Sequence, residues 1–459
     1  MNGYLIFILA IIILGFLAEA GVSLLNLHSL DPRLPAEFSG VFSPERYARS
    51  QEYTRITTRL ALARETVTTL LTLVFLLLGG FNWADTITRA FGLGSIATGL
   101  IFTGLLLLLS GIAGLPFSLY ATFVVEERFG LNRTTVKTYV LDLVKTVLLA
   151  ILIGAPLLAA ILWFFEQSGP LAWLYCWLAV VACMILLQFL APALIMPLFN
   201  TFTPLAEGEL KERITEYARG QGFRMQGIFT MDGSKRSTRL NAFFTGFGRF
   251  RRIVFFDTLV EKLVPGEIVA VLAHEMGHYR LRHIFIMLAA AVMETAIMFA
   301  LLSRFINNPG LFAAFGMEHL SVYASLVFFG FLFAPISLFL EILVKTLSRR
   351  HEYQADTYAA ATTGRPQDLI SGLKKLCAAN LANLTPHPLY VVLHASHPPV
   401  LARIRALTGE YAHQPTPAPQ CECAHCRRLY PADQLGVSSE GPLCPECRSE
   451  IESCGCADD

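Results

Sequence analysis

VLAHEMGHYRLR, residues 271–282, contains the H-E-x-x-H pattern His274-Glu275-Met276-Gly277-His278. Positions i and i+4 of a helix share a face. His274 and His278 can therefore offer two imidazole nitrogens to one zinc ion, and Glu275, one residue round, can reach a water held there. Zinc lowers the pKa of such a water, and a neighbouring carboxylate takes its proton. Pro265-Gly266-Glu267 opens the amphipathic run before the motif, which places it inside a helix. The bland alternative is a helix with two surface histidines.

Outward from the motif the chain is apolar. Of 459 residues, 54% are hydrophobic and 15% charged, where soluble domains carry about 25% charged. That deficit predicts a membrane protein, and a net charge of +1 gives no reason to expect nucleic acid binding. Residues 3–25 are long and apolar enough to span the hydrocarbon core, and they lack a basic leader or a small-residue cleavage site, so they read as a retained helix. Further apolar spans fall at about 66–84, 97–120, 140–165, 171–197, 284–303 and 322–345, which makes seven. Segment 27–64 is arginine-rich, 126–137 and 205–282 are basic, and the connections near 85–96, 166–170 and 304–320 are not. This alternation puts the N-terminus outside, with the motif and the C-terminus cytoplasmic; in a bacterial host the membrane is the inner one. Asp142 and Lys345 read as headgroup-level charges at span ends. Glu294 is mid-span, and for it the sequence weighs evenly for and against a water-filled interior.

Residues 201–282 form the main soluble insertion, with a helix predicted at 207–221 and short strands at 227–231 and 252–256. Between the strands, Asn241-Ala242-Phe243-Phe244-Thr245-Gly246-Phe247-Gly248 suits an edge strand that could take a substrate peptide by strand addition. An ordinary hairpin fits the pattern equally well.

A zinc site of this kind needs a third ligand, often a glutamate from a later helix. After the last span comes His351-Glu352-Tyr353-Gln354-Ala355-Asp356. Glu352 and Asp356 share a helix face, so Glu352 can ligate while Asp356 accepts from the free nitrogen of a liganding histidine. A solvated acidic face is the alternative, because E-x-x-x-D alone has little specificity.

HEMGH, then EYQAD, then Ser396-His397-Pro398-Pro399 with Arg403, among seven spans, resembles the type I CAAX prenyl proteases, which are integral-membrane zinc metalloproteases. The likeness extends to Gly130-Leu131-Asn132-Arg133-Thr134-Thr135 and to Pro197-Leu198-Phe199-Asn200, and covers about residues 1–410. The resemblance implies a mainly α, polytopic protein: seven transmembrane helices as an α-barrel around a water-filled chamber, with a gluzincin-like protease domain. It implies His274, His278 and Glu352 as ligands of a catalytic zinc and Glu275 as general base and acid. It also implies His397 at the oxyanion, Arg403 in support, and Asn241-Ala242 on the substrate-holding strand. On chemistry alone His387 and His394 rival His397.

The resulting division is 1–200 (five spans), 201–283 (insertion with the motif helix), 284–346 (spans six and seven), 347–411 (completing the zinc site), 412–420 (a proline-rich linker, AHQPTPAPQ) and 421–459. The last piece holds seven of the ten cysteines. Cys423-x-x-Cys426 and Cys444-x-x-Cys447, seventeen residues apart, form a zinc-ribbon pattern for a second, structural zinc. This tail departs from the family pattern and brings in a partner, regulation or a structural cap.

The expected activity is peptide hydrolysis on peptide or protein substrates at the lipid bilayer. Prenylated CAAX proteins are the family's named substrates. In a bacterial host, which lacks prenylation in general, misfolded or membrane-associated proteins are the expected targets, and the added tail tilts the reading that way. The alternative function is a non-catalytic zinc-binding membrane scaffold acting through its ribbon.

Overall fold

The computed structural model describes residues 2–223, 226–245 and 252–411, together with four short tail strands, Gln420–Glu422, Leu429–Pro431, Gly436–Ser438 and Gly441–Leu443. The protein is mostly helical, and seven helical segments are long and apolar enough to cross a membrane: Gly3–His28, Pro44–Leu77, Ser95–Glu126, Val136–Gln167, Gly169–Phe199, His283–Leu302 and Val322–Thr363. Leucines such as Leu107 and Leu152 face outward from them, as a lipid solvent permits.

The second span differs from its sequence reading. The helix begins at Pro44 and ends at Leu77, so most of the arginine-rich stretch read as a polar segment is helical and continuous with the span. Ser43 caps it by accepting from Arg46 N–H, and Pro44 fits the first turn, where no N–H is needed. Gly79, at φ 72°, turns the chain into a separate helix, Gly80–Arg89, which holds the last residues that the hydropathy run had assigned to the span.

Spans three, four and five each contain a π-helical stretch, Ala121–Glu126, Ala150–Gly154 and Ala191–Ile195. Pro156 and Pro197 lie four residues after Leu152 and Ala193. A proline ring clashes with the carbonyl four residues back, and the wider π-turn accommodates it.

The insertion folds as a four-stranded sheet, β1 (Phe202–Pro204), β2 (Gly227–Met231), β3 (Ala242–Thr245) and β4 (Arg252–Phe256), in the order β1-β2-β4-β3. β2 and β4 are parallel, with Gly227 opposite Arg252, and β3 is an antiparallel edge strand. The insertion is tied to the spans by arginines in the β2–β3 connection. Arg236 makes two bonds to Asp142, at 2.7 and 2.9 Å, and donates to Asn200 Oδ1 and the Phe199 carbonyl. Arg239 binds Glu126 at 2.7 Å. Asp142 is thus an ion-paired anchor for the insertion.

The motif helix, Pro265–Arg280, is held between two cores. Ile268, Leu272 and Met276 pack with Ile228, Ile253 and Phe255 of the sheet, while Ala270 and Ala273 pack with Ala359 and Ala360 of the last span's extension. Its first turn is fixed by buried Glu267, which accepts from Val264 N–H and pairs with Lys375.

Candidate active site

Two helices bring the site together. His274 and His278 come from Pro265–Arg280, Glu352 and Asp356 from the 42-residue helix Val322–Thr363. Gly277 lets them approach: a Cβ there would lie 3.0 Å from Ala355 Cα. His274 Nε2 and His278 Nε2 are 3.2 Å apart, and Glu352 oxygens lie 3.5 and 3.3 Å from them. Tetrahedral zinc with bonds of about 2.0–2.1 Å requires ligand atoms about 3.3–3.4 Å apart. The two imidazoles meet that spacing and Glu352 presents one oxygen to each, so the donor set fits zinc in chemistry, with its ligand atoms all within 4.8 Å of one another. Glu352 Oε2 is buried without a hydrogen bond; Arg403 Nη1, 3.0 Å away, pairs with it by charge but outside hydrogen-bond geometry.

Both histidines are held from behind. Asp356 Oδ1 accepts from His274 Nδ1 at 2.9 Å, leaving Nε2 free to ligate. Arg403, buried, grips Asp356 with Nε and Nη2 at 2.7 and 2.5 Å. His278 is backed by His283, a residue the sequence reading did not single out. His283 Nε2 faces Gln354 Oε1 at 3.0 Å, and that oxygen can only accept. His283 Nδ1 then carries the lone pair that receives His278 Nδ1–H, at 3.1 Å, so His278 Nε2 also points its lone pair inward. His351 stacks on His283, with ring centres 3.9 Å apart. Replacing His283 with alanine is expected to weaken zinc binding by about 10- to 100-fold, read by competition with a chromophoric chelator. An unchanged affinity would remove His283 from the metal's support.

Burial works against a charged His274, but the Asp356 and Glu352 carboxylates outweigh it and hold its pKa up at about 9. Burial pushes the Glu275 carboxyl up from its ordinary value. Glu275 lines a cavity of about 660 Å³ together with His278, His283, His351 and, from the edge strand, Phe243, Phe244 and Thr245. Ala242 opens that strand and Asn241 lies just before it; neither lines the cavity, and the Asn241 carbonyl is taken by Phe256 N–H.

His397 Nε2 lies 3.3 Å from Glu352 Oε1, with Ser396 Oγ 2.8 Å from its other nitrogen and its side chain 64% exposed. The helix before it, Pro388–His394, is tethered from behind. Arg349 donates to the Val391 and Ala395 carbonyls, and Lys345, 2.6 Å from Glu341, donates to that of Leu393. Lys345 is therefore an internal tether. His394 pairs with Glu19, 3.3 Å away, and His387 caps the start of its own helix. Of the three histidines in this region, His397 alone reaches the cluster. The ribbon cysteines Cys423, Cys426, Cys444 and Cys447 lie outside the described residues.

Residues 24–201 match the family model described as the CAAX prenyl protease N-terminal domain with five membrane helices, and residues 204–411 match peptidase family M48. The chain belongs to the CAAX prenyl proteases of family M48. Among similar proteins, the Arabidopsis thaliana CAAX prenyl protease 1 homolog is 34% identical over 412 residues, covering 88% of this chain and 97% of the relative. The Saccharomyces cerevisiae CAAX prenyl protease 1 is 33% identical, covering 82% and 89%. The crystal structure of S. mikatae Ste24p superposes with a TM-score of 0.84 at 32% identity, over 89% of this chain and 99% of that one. This M48 member is accordingly a multi-pass membrane metalloprotease.

Proposed function

We propose that this metalloprotease is a zinc endopeptidase that cleaves an extended segment of a membrane-associated protein laid along the β3 edge. The observation that carries this reading is Glu275, which faces the same cavity as the edge strand and sits beside the His274–His278–Glu352 cluster. A zinc ion held there would polarise the scissile carbonyl and acidify the attacking water. Glu275, with its carboxyl pushed up by burial, takes the proton of that water and returns it to the leaving amine. His397 donates to the carbonyl oxygen as charge develops on it. Asp356 and Arg403 hold His274, and Asn241-Ala242 lead into the strand that aligns the substrate. The zinc site and C-terminus face the cytoplasm, and the tail cysteines Cys423, Cys426, Cys444 and Cys447 hold a second zinc in a ribbon that recruits a partner.

The named activity of the relatives favours prenylated CAAX proteins as substrates over misfolded membrane-associated ones. Metal content separates this reading from a non-catalytic scaffold. Wild type is expected to hold two zinc ions; Glu352→Ala and a chain ending at Ala412 should each hold one, with cleavage lost only in Glu352→Ala. Faster cleavage of a farnesylated than of an unmodified peptide supports the CAAX assignment. Equal rates favour the broader one. Zinc that survives Glu352→Ala and vanishes with the tail would leave the scaffold.

A further inference from the structure

The helix that carries Glu352 begins at a second cavity. This one, about 420 Å³, is lined by Arg89, Ser95, Thr98, Glu166, Asn307 and Ser321, among others. At 1.5 Å per residue, Val322 and Glu352 are about 45 Å apart along the helix, so this cavity lies at the other end of the spans from the metal ligands.

Three of its features are arranged for an anion. Asp85, 1% exposed, accepts from the Tyr323 hydroxyl at 2.5 Å and from Arg89 Nε at 2.7 Å. That fixes the Arg89 guanidinium, 5.7 Å over the Tyr323 ring, while its two terminal nitrogens have no partner among the described residues. The N-terminus of Val322–Thr363 opens here with no side-chain cap. Its first backbone bond runs from Ser325 N–H to Ser321 O, so the amides of Val322, Tyr323 and Ala324 precede it. Finally, Ser321 Oγ is buried beside the Tyr323 hydroxyl and makes no hydrogen bond of full geometry, with its residue 9% exposed. A buried hydroxyl without a full hydrogen bond, beside free amides and a fixed guanidinium, is costly unless a ligand satisfies it. Glu166, which accepts from Ser95 Oγ at 2.8 Å, puts a carboxylate on another wall. With Asp85 and Glu166 opposing Arg89 and the helix dipole, the cavity is close to neutral, which suits a zwitterion better than a free dianion.

We propose that this cavity binds the phosphate of an ethanolamine-type head group, its oxygens taken by Arg89, Ser321 and the Val322–Ala324 amides and its ammonium by Glu166. Leu93 and Leu320, 50% and 49% exposed on the cavity wall, give acyl chains an apolar landing.

Full-length protein in detergent is titrated with dihexanoyl-phosphatidylethanolamine, with phosphoethanolamine and with inorganic phosphate, following heat of binding and the thermal midpoint. Saturable binding of the lipid alone identifies a membrane lipid as the source; equal binding of phosphoethanolamine identifies a soluble head group. Both support the site. Ser321→Ala is expected to weaken binding by about tenfold, the loss of a hydrogen bond to a charged group. Glu166→Gln is expected to weaken the ethanolamine compounds while sparing inorganic phosphate. Peptidase activity should be unchanged in both variants, which also certifies their folding. The proposal is overturned by saturable binding of none of the three, by binding of inorganic phosphate only, or by affinities unmoved in both variants.

Discussion

Glu275→Gln is expected to lower kcat/KM for peptide cleavage by about 10³-fold, the scale of a lost general base, while zinc content stays at the wild-type value. Glutamine keeps the volume and cannot take a proton. Glu275 lies outside the His274–His278–Glu352 donor set, so its loss leaves the ligands in place. Single-turnover cleavage paired with elemental analysis measures both. A variant that loses its zinc along with its activity would point to a structural role for Glu275, and one that cuts at near wild-type rate would end the proposed mechanism.

The second large effect is expected at Arg403. This side chain is buried among three groups: Asp356 at 2.5 Å, Glu352 at 3.0 Å and His274 at 3.4 Å. Its charge is secured because the Asp356 and Glu352 carboxylates outweigh the burial that opposes it and raise its pKa. Arg403→Met leaves two buried carboxylates with His274 as their only remaining counter-charge among the described residues. Breaking such a network costs about 3–5 kcal/mol, so the metal-free protein should unfold at a clearly lower temperature. Zinc supplies part of the missing charge, so the loaded variant should lose less. Arg403→Lys restores the charge without the two-pronged grip on Asp356 and should recover only part of the difference. A variant that loses as much stability relative to wild type with metal as without it would show that Arg403 does not act through the His274–His278–Glu352 cluster.

The parts of the site legible in the sequence are those with a local period. His274 and His278, and Glu352 and Asp356, are each four apart on a helix, and each pair faces one way for that reason alone. His283 opens the helix His283–Leu302, and it and Gln354, 71 residues apart in sequence, meet only in the fold. No spacing rule announces such a meeting, although a third histidine five residues beyond the motif was the available hint. The second span shows the same limit. Hydropathy reports burial in lipid and says nothing of a helix that continues into water, so Pro44–Leu77 was seen only where it is apolar. The start signals Ser43, Pro44 and Glu45 were present in the sequence. The long-range partners of Asp142 and Lys345, Arg236 and the Leu393 carbonyl, are 94 and 48 residues away and left no local sign, whereas Glu341, one turn from Lys345, was in view.

The 42 residues of Val322–Thr363 make a rod about 63 Å long, roughly twice the hydrocarbon thickness of about 30 Å. A rod of that length is a lever. A tilt of about 5° at its far end swings Glu352 by about 4 Å, far beyond the roughly 0.5 Å that a metal-binding constellation tolerates. The close seam at Gly277 and Ala355 makes the motif helix travel with the long one. The motif helix is itself packed on the sheet, so a bilayer that thickens or thins should move His274, His278, Glu352 and the sheet edge as one body relative to the other spans. Bilayer thickness should register in KM for a membrane-anchored substrate and leave the tightness of metal binding unchanged.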